Sequence, residues 1–473
     1  MSIQHLETKI VKLKSQAKDL HAENRFLRQR LKEVVLSRDL QKQKYKQLQR
    51  VGVSKVSHES ANSMVIKRHQ YEEKTVRACI NLYLLSGVSL RGVVAILLYF
   101  QLEWGIFKTI PSKSSIDNWL KKMGYARYLS YQAYQYEDDY CLIIDDSMMV
   151  GSQRLLLILS LSANKVNKRA LTYSDVHIEN MEVKKSWSGE SISAAIEKVI
   201  EKKGKKPLYC ISDSASIMLK SQILSDLIHI GDCSHGLSGV LEKLYKENTD
   251  FLAWQKALGQ AKYKGVMKDY AYLLPPKQRS VARFMNMNDS IVWAKAMLNN
   301  FQKLSSEEQK AFEWVKQYKF FILNDVGLAF ELVQKLLNIL KSKGLSFKTV
   351  AQCMKLCRHK TYKNIPKVIT KVNQFLQTQK DKLVSPTCIW HSCSDVIESF
   401  FGKFKNSLPT NPILGVTACV LQLNLITQPL GKLEVKGALE KVFLSDLQQW
   451  KDNNLFDNQV VRKHKILKNE RKI

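Results

Sequence analysis

The chain of 473 residues is long enough for two or three domains, and its 45% hydrophobic and 25% charged residues are typical of a globular protein with a sizeable core. Lysine and arginine number 74 against 43 aspartate and glutamate, a net charge of +31 that favours a polyanionic partner. No apolar run approaches the roughly 18 residues that cross a bilayer, and the N-terminus lacks the regions of a signal peptide, so we expect a protein inside the cell.

The first predicted element is a coiled coil. Residues 3 to 34 carry a seam at alternating spacings of four and three, formed by Leu6, Ile10, Leu13, Ala17, Leu20, Asn24, Leu27, Leu31 and Val34. The one polar seam residue, Asn24, is of the type that fixes register in a parallel dimer. We therefore predict a homodimer through this segment, with a single amphipathic helix packed on its own chain as the alternative.

Three helices are predicted after a basic linker over 41–57. The first ends at Gly87, the second begins behind a Ser89 cap, and the third runs from Pro111 and Ser112 to a stop at Gly124. A helix pair followed by a basic helix is typical of a helix-turn-helix unit, whose last helix lies in the major groove. The predicted DNA-binding residues there are Lys113, Ser114, Ser115, Asn118, Lys121 and Lys122. A three-helix scaffold without DNA contacts is the alternative.

From about residue 140 the sequence pattern changes from helices alone to strands and helices. Three strands, a helix, a strand, a helix and a fifth strand predict a mixed sheet with helices on both faces. Asp145 follows the apolar run "CLII" and Asp213 follows "LYCI", which places each acid at or near a strand end. On neighbouring strands the two carboxylates would meet at one edge, an arrangement that is costly without a cation. Each acid alone also fits a turn or a helix cap.

A third acid lies on a predicted helix, "SDVIESFFGKFK", after a long and almost wholly helical stretch. Asp395, Glu398, Gly402 and Lys405 fall near one side of this helix. Asp395 and Glu398 also fit a capping box. A glycine inside a helix costs roughly 1 kcal/mol relative to alanine, which suggests close approach by another molecule. Lys405 is too far from Glu398 for a helical ion pair.

These motifs, in the order "LIIDDS", "YCISDSAS", "GDCSH" and "SDVIESFFGKFK", resemble DDE transposases of the bacterial insertion-sequence type, which have an RNase H-like catalytic domain and a helical insertion before the glutamate. The resemblance covers 135–240 and 386–425. It implies the catalytic acids Asp145, Asp213 and Glu398, with Asp146, Asp232, His235 and Lys405 in supporting positions. Asp146 stays an alternative to Asp145, because a one-residue change of register exchanges them.

The expected domain organisation follows from the patterns and the resemblance. It comprises a coiled-coil dimerisation helix over 1–50, a helix-turn-helix domain over 60–126, an RNase H-like core in two parts over 135–240 and 386–430, a helical insertion over 241–385, and a basic C-terminal tail over 431–473. The fold class is thus α/β, an RNase H-like mixed sheet interrupted by an all-α insertion.

The implied chemistry requires two Mg²⁺ or Mn²⁺ ions per active site, because such a pair activates a nucleophile and stabilises the leaving oxygen of an in-line displacement at phosphorus. Asp145 would bridge the ions, with Asp213 and Glu398 each completing one site, and Lys405 would hold a DNA phosphate. A structural zinc site is less favoured because paired CxxC spacing is absent; its candidates are Cys353, Cys357, Cys388, His391 and Cys393.

The sequence therefore predicts a homodimeric DNA transposase that binds terminal inverted repeats and target DNA, cleaves and transfers strands, and resides in the cytoplasm with the nucleoid, away from membranes. One alternative is a catalytically inactive transposase-derived DNA-binding regulator. The other is an RNase H-like structure-specific nuclease that cuts branched DNA without joining ends.

Overall fold

A computed structural model describes residues 66–107, 109–150, 153–164, 166, 169–278, 284, 287–407, 416–428, 430–457 and 466–467, without the side chains of 148–150 and 407. The coiled coil expected over 1–50, and most of the basic stretch over 460–473, lie outside the described residues. None of the described helices is long and apolar enough to cross a membrane.

Three helices open the described chain: α1 (Glu73–Ser86), α2 (Leu90–Trp104) and α3 (Lys113–Ala133). Gly87 ends α1 in the left-handed conformation, with φ of 68°. Ser89 caps α2 by accepting a hydrogen bond from the Gly92 amide at 3.1 Å. Ser112 caps α3 in the same way, through the Ser115 amide at 3.1 Å. These starts and the first stop agree with the sequence prediction.

Gly124 does not end α3, contrary to the prediction, because the helix continues to Ala133. A Cβ atom at Gly124 would lie 2.3 Å from the carbonyl oxygen of Leu421. That residue belongs to a 3₁₀ segment, Ala418–Gln422, which crosses α3 at this point. The glycine therefore permits close packing of two backbones, a role that local sequence does not distinguish from a helix stop.

The chain then forms a five-stranded sheet in the order β3-β2-β1-β4-β5. Strands β1, β2 and β3 are antiparallel neighbours, whereas β4 runs parallel to β1 and β5 parallel to β4. The strands are β1 (Tyr140–Val150), β2 (Gln153–Ser162), β3 (His177–Lys184), β4 (Cys210–Ser212) and β5 (His229–Gly231). The predicted mixed α/β sheet is confirmed, with β1 at its centre.

Helices cover both faces of the sheet, as predicted. One face carries Leu142 and Ile144 of β1, which pack with Ile192 and Ile196 of the first crossover helix. The other carries Cys141 and Ile143 and belongs to a much larger core. The crossover helices are α4 (Gly189–Lys203) and α5 (Ser216–Leu224), and α6 (Cys233–Tyr245) follows β5. Alternation along β1 thus assigns odd-numbered side chains to the larger core.

Helices continue from 249 to 380: α7 (Thr249–Gly265), α8 (Asn288–Asn300), α9 (Ser306–Phe312), α10 (Val326–Lys343), α11 (Phe347–Cys357) and α12 (Pro366–Lys380). Their apolar faces join the larger core, which also contains Ile143 and Ile211 of the sheet. The helix α13 (Asp395–Ser407) returns to β1.

The chain after 430 departs from the expected basic tail over 431–473. Following a short helix, α14 (Leu423–Ile426), it forms α15 (Lys432–Lys441) and α16 (Leu444–Asn454). Val435 and Leu439 of α15, one turn apart, are buried in the core of α1 to α3. Arg127 of α3 donates from Nε and Nη2 to the two carboxylate oxygens of Glu434, each at 2.7 Å. Apolar spacing and a bidentate ion pair hold α15 in the fold.

Candidate metal centre

The centre of the site is the junction of β1 and β4, where two aspartates lie side by side. Leu142 pairs with Cys210 and Ile143 with Ile211. The same parallel register places Asp145 beside Asp213, directly after β4 ends. Asp213 also accepts a hydrogen bond at Oδ1 from the Ala215 amide at 3.1 Å, so the strand end turns at once into α5. The two strands are neighbours, which is the condition under which the sequence analysis expected the two carboxylates to meet.

The pleat of β1 separates Asp145 from Asp146. Asp145 lies on the same face as Cys141 and Ile143, which belong to the larger core. Asp146 lies on the opposite face, where its Oδ2 is 3.1 Å from Nη1 of Arg154 on β2. Since Ile211 shares the face of Ile143, Asp213 and Asp145 point the same way and Asp146 points away from them. One detail differs from the prediction: β1 does not end at Asp145 but continues to Val150 as a hairpin with β2.

The helix α13 brings the third acid to this face. Val396, Ile397, Phe400, Phe401 and Phe404 are buried in the core that contains Ile143. The opposite stripe is more open, with the side chain of Glu398 39% exposed. Further along the helix, Lys405 donates from Nζ to Oγ of Ser147 at 2.7 Å. Ser147 is two residues beyond Asp145 on the same side of β1, so α13 runs across the aspartate face.

His235 connects the third acid to the end of the sheet. Asp232 follows β5 and caps α6, accepting a hydrogen bond at Oδ1 from the His235 amide at 2.7 Å. The same Oδ1 is 3.5 Å from Nδ1 of His235, and Nε2 of His235 is 3.6 Å from Oε1 of Glu398. The imidazole therefore lies between two carboxylates, with Asp232 fixing the ring that faces Glu398.

Burial and neighbouring charges shift the pKa values of the acids at this face. Burial, and after it the charges of Asp213 and Asp146, raise the pKa of Asp145 to about 8, against the opposing effects of the Asp146 amide hydrogen bond and of His235. Burial also raises the pKa of Glu398. The pKa of His235 rises to about 9, chiefly through its hydrogen bond with Asp232 and also through the charges of Glu398 and Asp213. A divalent cation would relieve this repulsion.

The donors at this face fit Mg²⁺ or Mn²⁺. Asp145, Asp213 and Glu398 offer carboxylate oxygens, the hard ligands these ions prefer. The ligand atoms of these three carboxylates do not all lie within 4.8 Å of one another.

A tighter group lies beside this face. Ligand atoms of Asp232, Cys393 and Asp395 lie within 4.8 Å of one another. Each acid already has donors: Asp232 accepts from the amide and hydroxyl of Ser394, each at 2.5 Å, and Asp395 accepts from Lys341 and, at 2.9 Å, from Ser234. A hydrogen bond with Cys233 and burial raise the pKa of the Cys393 thiol. The group is a hydrogen-bonded junction between α6 and α13.

This junction changes two sequence interpretations. Asp395 is the first helical residue of α13, and its carboxylate is held by other elements rather than by a capping box with Glu398. Among the described residues no other group of three or more His, Cys, Asp or Glu is this compact, so the zinc set that includes Cys353, Cys357 and His391 is not assembled. Sequence reasoning missed Ser394 and Lys341. Lys341 is 54 residues from Asp395 and carries no local signal.

The residues predicted to bind DNA on α3 do not share one open face. Lys113 and Ser114 are exposed at the start of the helix, and Ser115 bonds with Ser112. Asn118 and Lys121 line a groove shared with α16, and Lys121 pairs with Asp117 at 2.5 Å. Burial lowers the pKa of Lys122, which lies near Asp446 of α16. Of the predicted set, Lys113 and Ser114 are therefore exposed in the first turn of α3, whereas Asn118, Lys121 and Lys122 lie beside α16.

A comparison of the chain with models of known protein families finds no match, and a comparison with curated proteins finds none either. The class of protein is therefore inferred from the site alone.

Proposed function

We propose that the chain is a DDE-type DNA transposase with an RNase H-like catalytic core, which binds terminal inverted repeats and carries out metal-dependent strand cleavage and strand transfer. The observation that carries the proposal is the register of β1 against β4, which sets Asp145 beside Asp213 on the face crossed by α13. Glu398 comes from a helix some 185 residues further along the chain than Asp213 and is linked to the aspartates through His235. Its Oε1 is 3.6 Å from Nε2 of His235, and the charge of Asp213 also raises the pKa of that histidine.

Asp145, Asp213 and Glu398 would hold two Mg²⁺ or Mn²⁺ ions. Bound there, such a pair supplies an activated water or 3′-hydroxyl and stabilises the leaving oxygen in an in-line displacement at phosphorus. The aspartates are presented by a strand and by a strand end, so their positions are fixed by the sheet ladder. Rigid presentation matters because small displacements of reacting groups cost large factors in rate.

The remaining residues act on the DNA and on protons. Lys405, which donates to Ser147 in the free protein, is placed to exchange that hydroxyl for a phosphate oxygen. Gly402 has nothing within 4 Å of the position a Cβ would take, so the helix surface is open there to a DNA backbone. His235, whose pKa rises to about 9, would carry a positive charge beside Glu398 at neutral pH.

The test is strand cleavage and strand transfer on DNA carrying the sequences that flank the gene, with Mg²⁺ and with EDTA. Asp145→Asn, Asp213→Asn and Glu398→Gln should each abolish both reactions while leaving binding to that DNA in place. An exposed acid elsewhere, Asp250→Asn on α7, serves as the matched control and should retain activity. Full activity in all three site variants would show that the site assignment is wrong.

The same assay separates the alternatives. Metal-dependent cutting of branched DNA with no joining of 3′ ends would identify a structure-specific nuclease. Specific binding of the flanking sequences without any metal-dependent reaction would identify a DNA-binding regulator. End binding through 60–126 remains a prediction, supported by the exposure of Lys113 and Ser114 at the start of α3.

A further inference from the structure

The helix α2 exposes large apolar side chains on the side opposite to its buried face. Val93 and Leu97 are fully buried against α1 and α3. Leu98, Tyr99 and Leu102 are 48%, 54% and 75% exposed. Isolated exposed apolar side chains are normal on protein surfaces, but three large ones on one helical face are not. The helix therefore has a second apolar face that intramolecular packing does not use.

The second face has the spacing of a helix-packing surface. Ala95, Leu98, Tyr99 and Leu102 occupy positions i, i+3, i+4 and i+7, and all four are exposed. The small side chain of Ala95 leaves room for another helix to approach closely. Trp104 extends the surface, since it is 62% exposed and its ring centroid lies 5.9 Å from that of Tyr99. We call Ala95, Leu98, Tyr99, Leu102 and Trp104 the α2 stripe.

Charge excludes nucleic acid as the partner of the α2 stripe. Between 78 and 107 the only charged residues are Arg91 and Glu103, so the region is neutral in a chain of net charge +31. DNA binding depends on cations that neutralise phosphates, and this region offers one. Two copies of a strongly basic chain repel each other over most of their surface. A neutral apolar stripe is where they can meet without that repulsion.

The N-terminal segment of the same chain is a poorer occupant. Its apolar residues form a narrow seam over 3–34 with charged residues on the other sides of the helix. If this seam pairs with the same seam of a second chain, as predicted, the N-terminal helix has no further apolar face that could cover the α2 stripe. A second copy of α2 offers an apolar surface of the same size and shape, which two-fold symmetry brings together.

We propose that the α2 stripe is a homodimer contact in which α2 of one copy packs on α2 of a second, next to the predicted DNA-binding helices and separate from the N-terminal coiled coil. The contact would set the spacing between two copies of α3, and therefore between the two DNA sites that a dimer can hold. The proposed contact does not depend on the three acids, so its test is independent of the test of the proposed catalysis.

The test is photo-cross-linking of the full-length protein with p-benzoyl-phenylalanine in place of Tyr99, after nuclease treatment. We expect a covalent homodimer whose cross-link maps by mass spectrometry to residues 90–106 of the other copy. The matched control places the same probe at Tyr263, which is 88% exposed on α7 and should not give this product. Absence of a homodimer with the Tyr99 probe, or a cross-link to residues 3–34, would overturn the proposal.

A second measurement asks whether the stripe itself forms the contact. Leu98→Glu and Leu102→Glu, each combined with the Tyr99 probe, should lower the cross-linked fraction by about tenfold or more, because a buried interface leucine is replaced by a charge. Leu433→Glu, at a leucine 74% exposed on α15, is the control and should leave the fraction unchanged. An unchanged fraction in both stripe variants would place the contact elsewhere. The Tyr99 probe alone remains decisive if a glutamate variant does not fold.

Discussion

At the scale of single residues, the alternation of β1 decides which of two adjacent acids can serve the site. Asp145 shares a face with Ile143 and, across the register, with Asp213. Asp146 faces the opposite helices and is 3.1 Å from Arg154. The sequence did not decide between Asp145 and Asp146, because a single sequence does not give the register of a strand. The pairing of β1 with β4 joins residues that are far apart in the chain.

This geometry predicts different outcomes for two neighbouring substitutions. Asp145→Asn should reduce the rate of strand cleavage by on the order of a hundredfold or more. Even the loss of a residue that only hydrogen-bonds a metal ligand lowers metal affinity or activity by about 10 to 100-fold. Asp146→Asn should retain most of the activity, because its carboxylate points away from Asp213. The rates are compared at saturating Mg²⁺. The reverse pattern would mean that Asp146 is the ligand and that the register of β1 is wrong.

The pKa of Asp145 leads to a prediction about stability. Its folded value of about 8 exceeds the usual 3.8, so the folded protein holds a proton that the unfolded chain has lost. This costs stability that grows as pH rises from about 4 to about 8 and then stays constant. Without metal, Asp145→Asn should therefore raise Tm relative to wild type, by an increment that grows by roughly 1 to 2 °C per pH unit in that window.

The measurement is thermal unfolding in EDTA across that pH range. Mg²⁺ should stabilise the wild type more at pH 8 than at pH 5, because the ion competes with fewer protons, and this dependence should be weaker in Asp145→Asn. A Tm difference that is flat with pH would show that the Asp145 carboxyl is not destabilised in the folded protein.

At the scale of elements, α13 combines a buried aromatic face with an open polar stripe. Phe400 and Phe404 fix the helix against the core, and this fixes in turn where Glu398, Gly402 and Lys405 lie. The polar stripe itself was predicted from the sequence. Its contacts with His235, Ser147 and Lys341 were not, because these residues come from distant segments that only folding brings together.

Gly402 provides an element-scale prediction. Gly402→Ala should increase stability by about 0.5–1 kcal/mol, since the site is helical and nothing lies within 4 Å of the added Cβ. If DNA approaches there, the same change should weaken DNA binding. Gly259→Ala on α7 is the matched control, because its Cβ position is also open, and it should stabilise without affecting DNA binding. Chemical denaturation and fluorescence anisotropy measure the two effects, and equal DNA affinities would contradict a DNA contact at Gly402.

At the scale of the whole molecule, the charge of +31 is the strongest indication of a nucleic-acid partner. Three of the lysines predicted to bind DNA lie on α3: Lys113 is exposed in its first turn, whereas Lys121 lines the groove shared with α16 and Lys122 lies near Asp446 of α16. If DNA is the partner, we expect phosphate contacts from other elements as well, among them Lys405 on α13.

The charge predicts that DNA affinity falls steeply with salt. For six or more phosphate contacts the loss is on the order of a thousandfold between 50 and 200 mM salt. Lys405→Gln should weaken binding to all sequences alike and reduce the slope of log K against log salt by about 1. Anisotropy titrations over a salt series measure both effects. A flat response in the wild type would exclude DNA as the principal partner.

The sequence by itself determined the local elements: the ends of α1 and the starts of α2 and α3, the order of strands and crossover helices, and the acids that follow apolar runs. These depend on neighbours within a few residues, through capping, turn chemistry and periodicity. It was wrong where a local signal had a tertiary cause. Gly124 packs against Leu421, and over 432–454 the helices α15 and α16 join the core. Only the tertiary structure decided that Asp145 rather than Asp146 faces Asp213, and that His235 lies between Asp232 and Glu398. It also decided that α2 has an exposed apolar face. The reason is that strand register and helix packing are fixed by contacts between residues far apart in the chain.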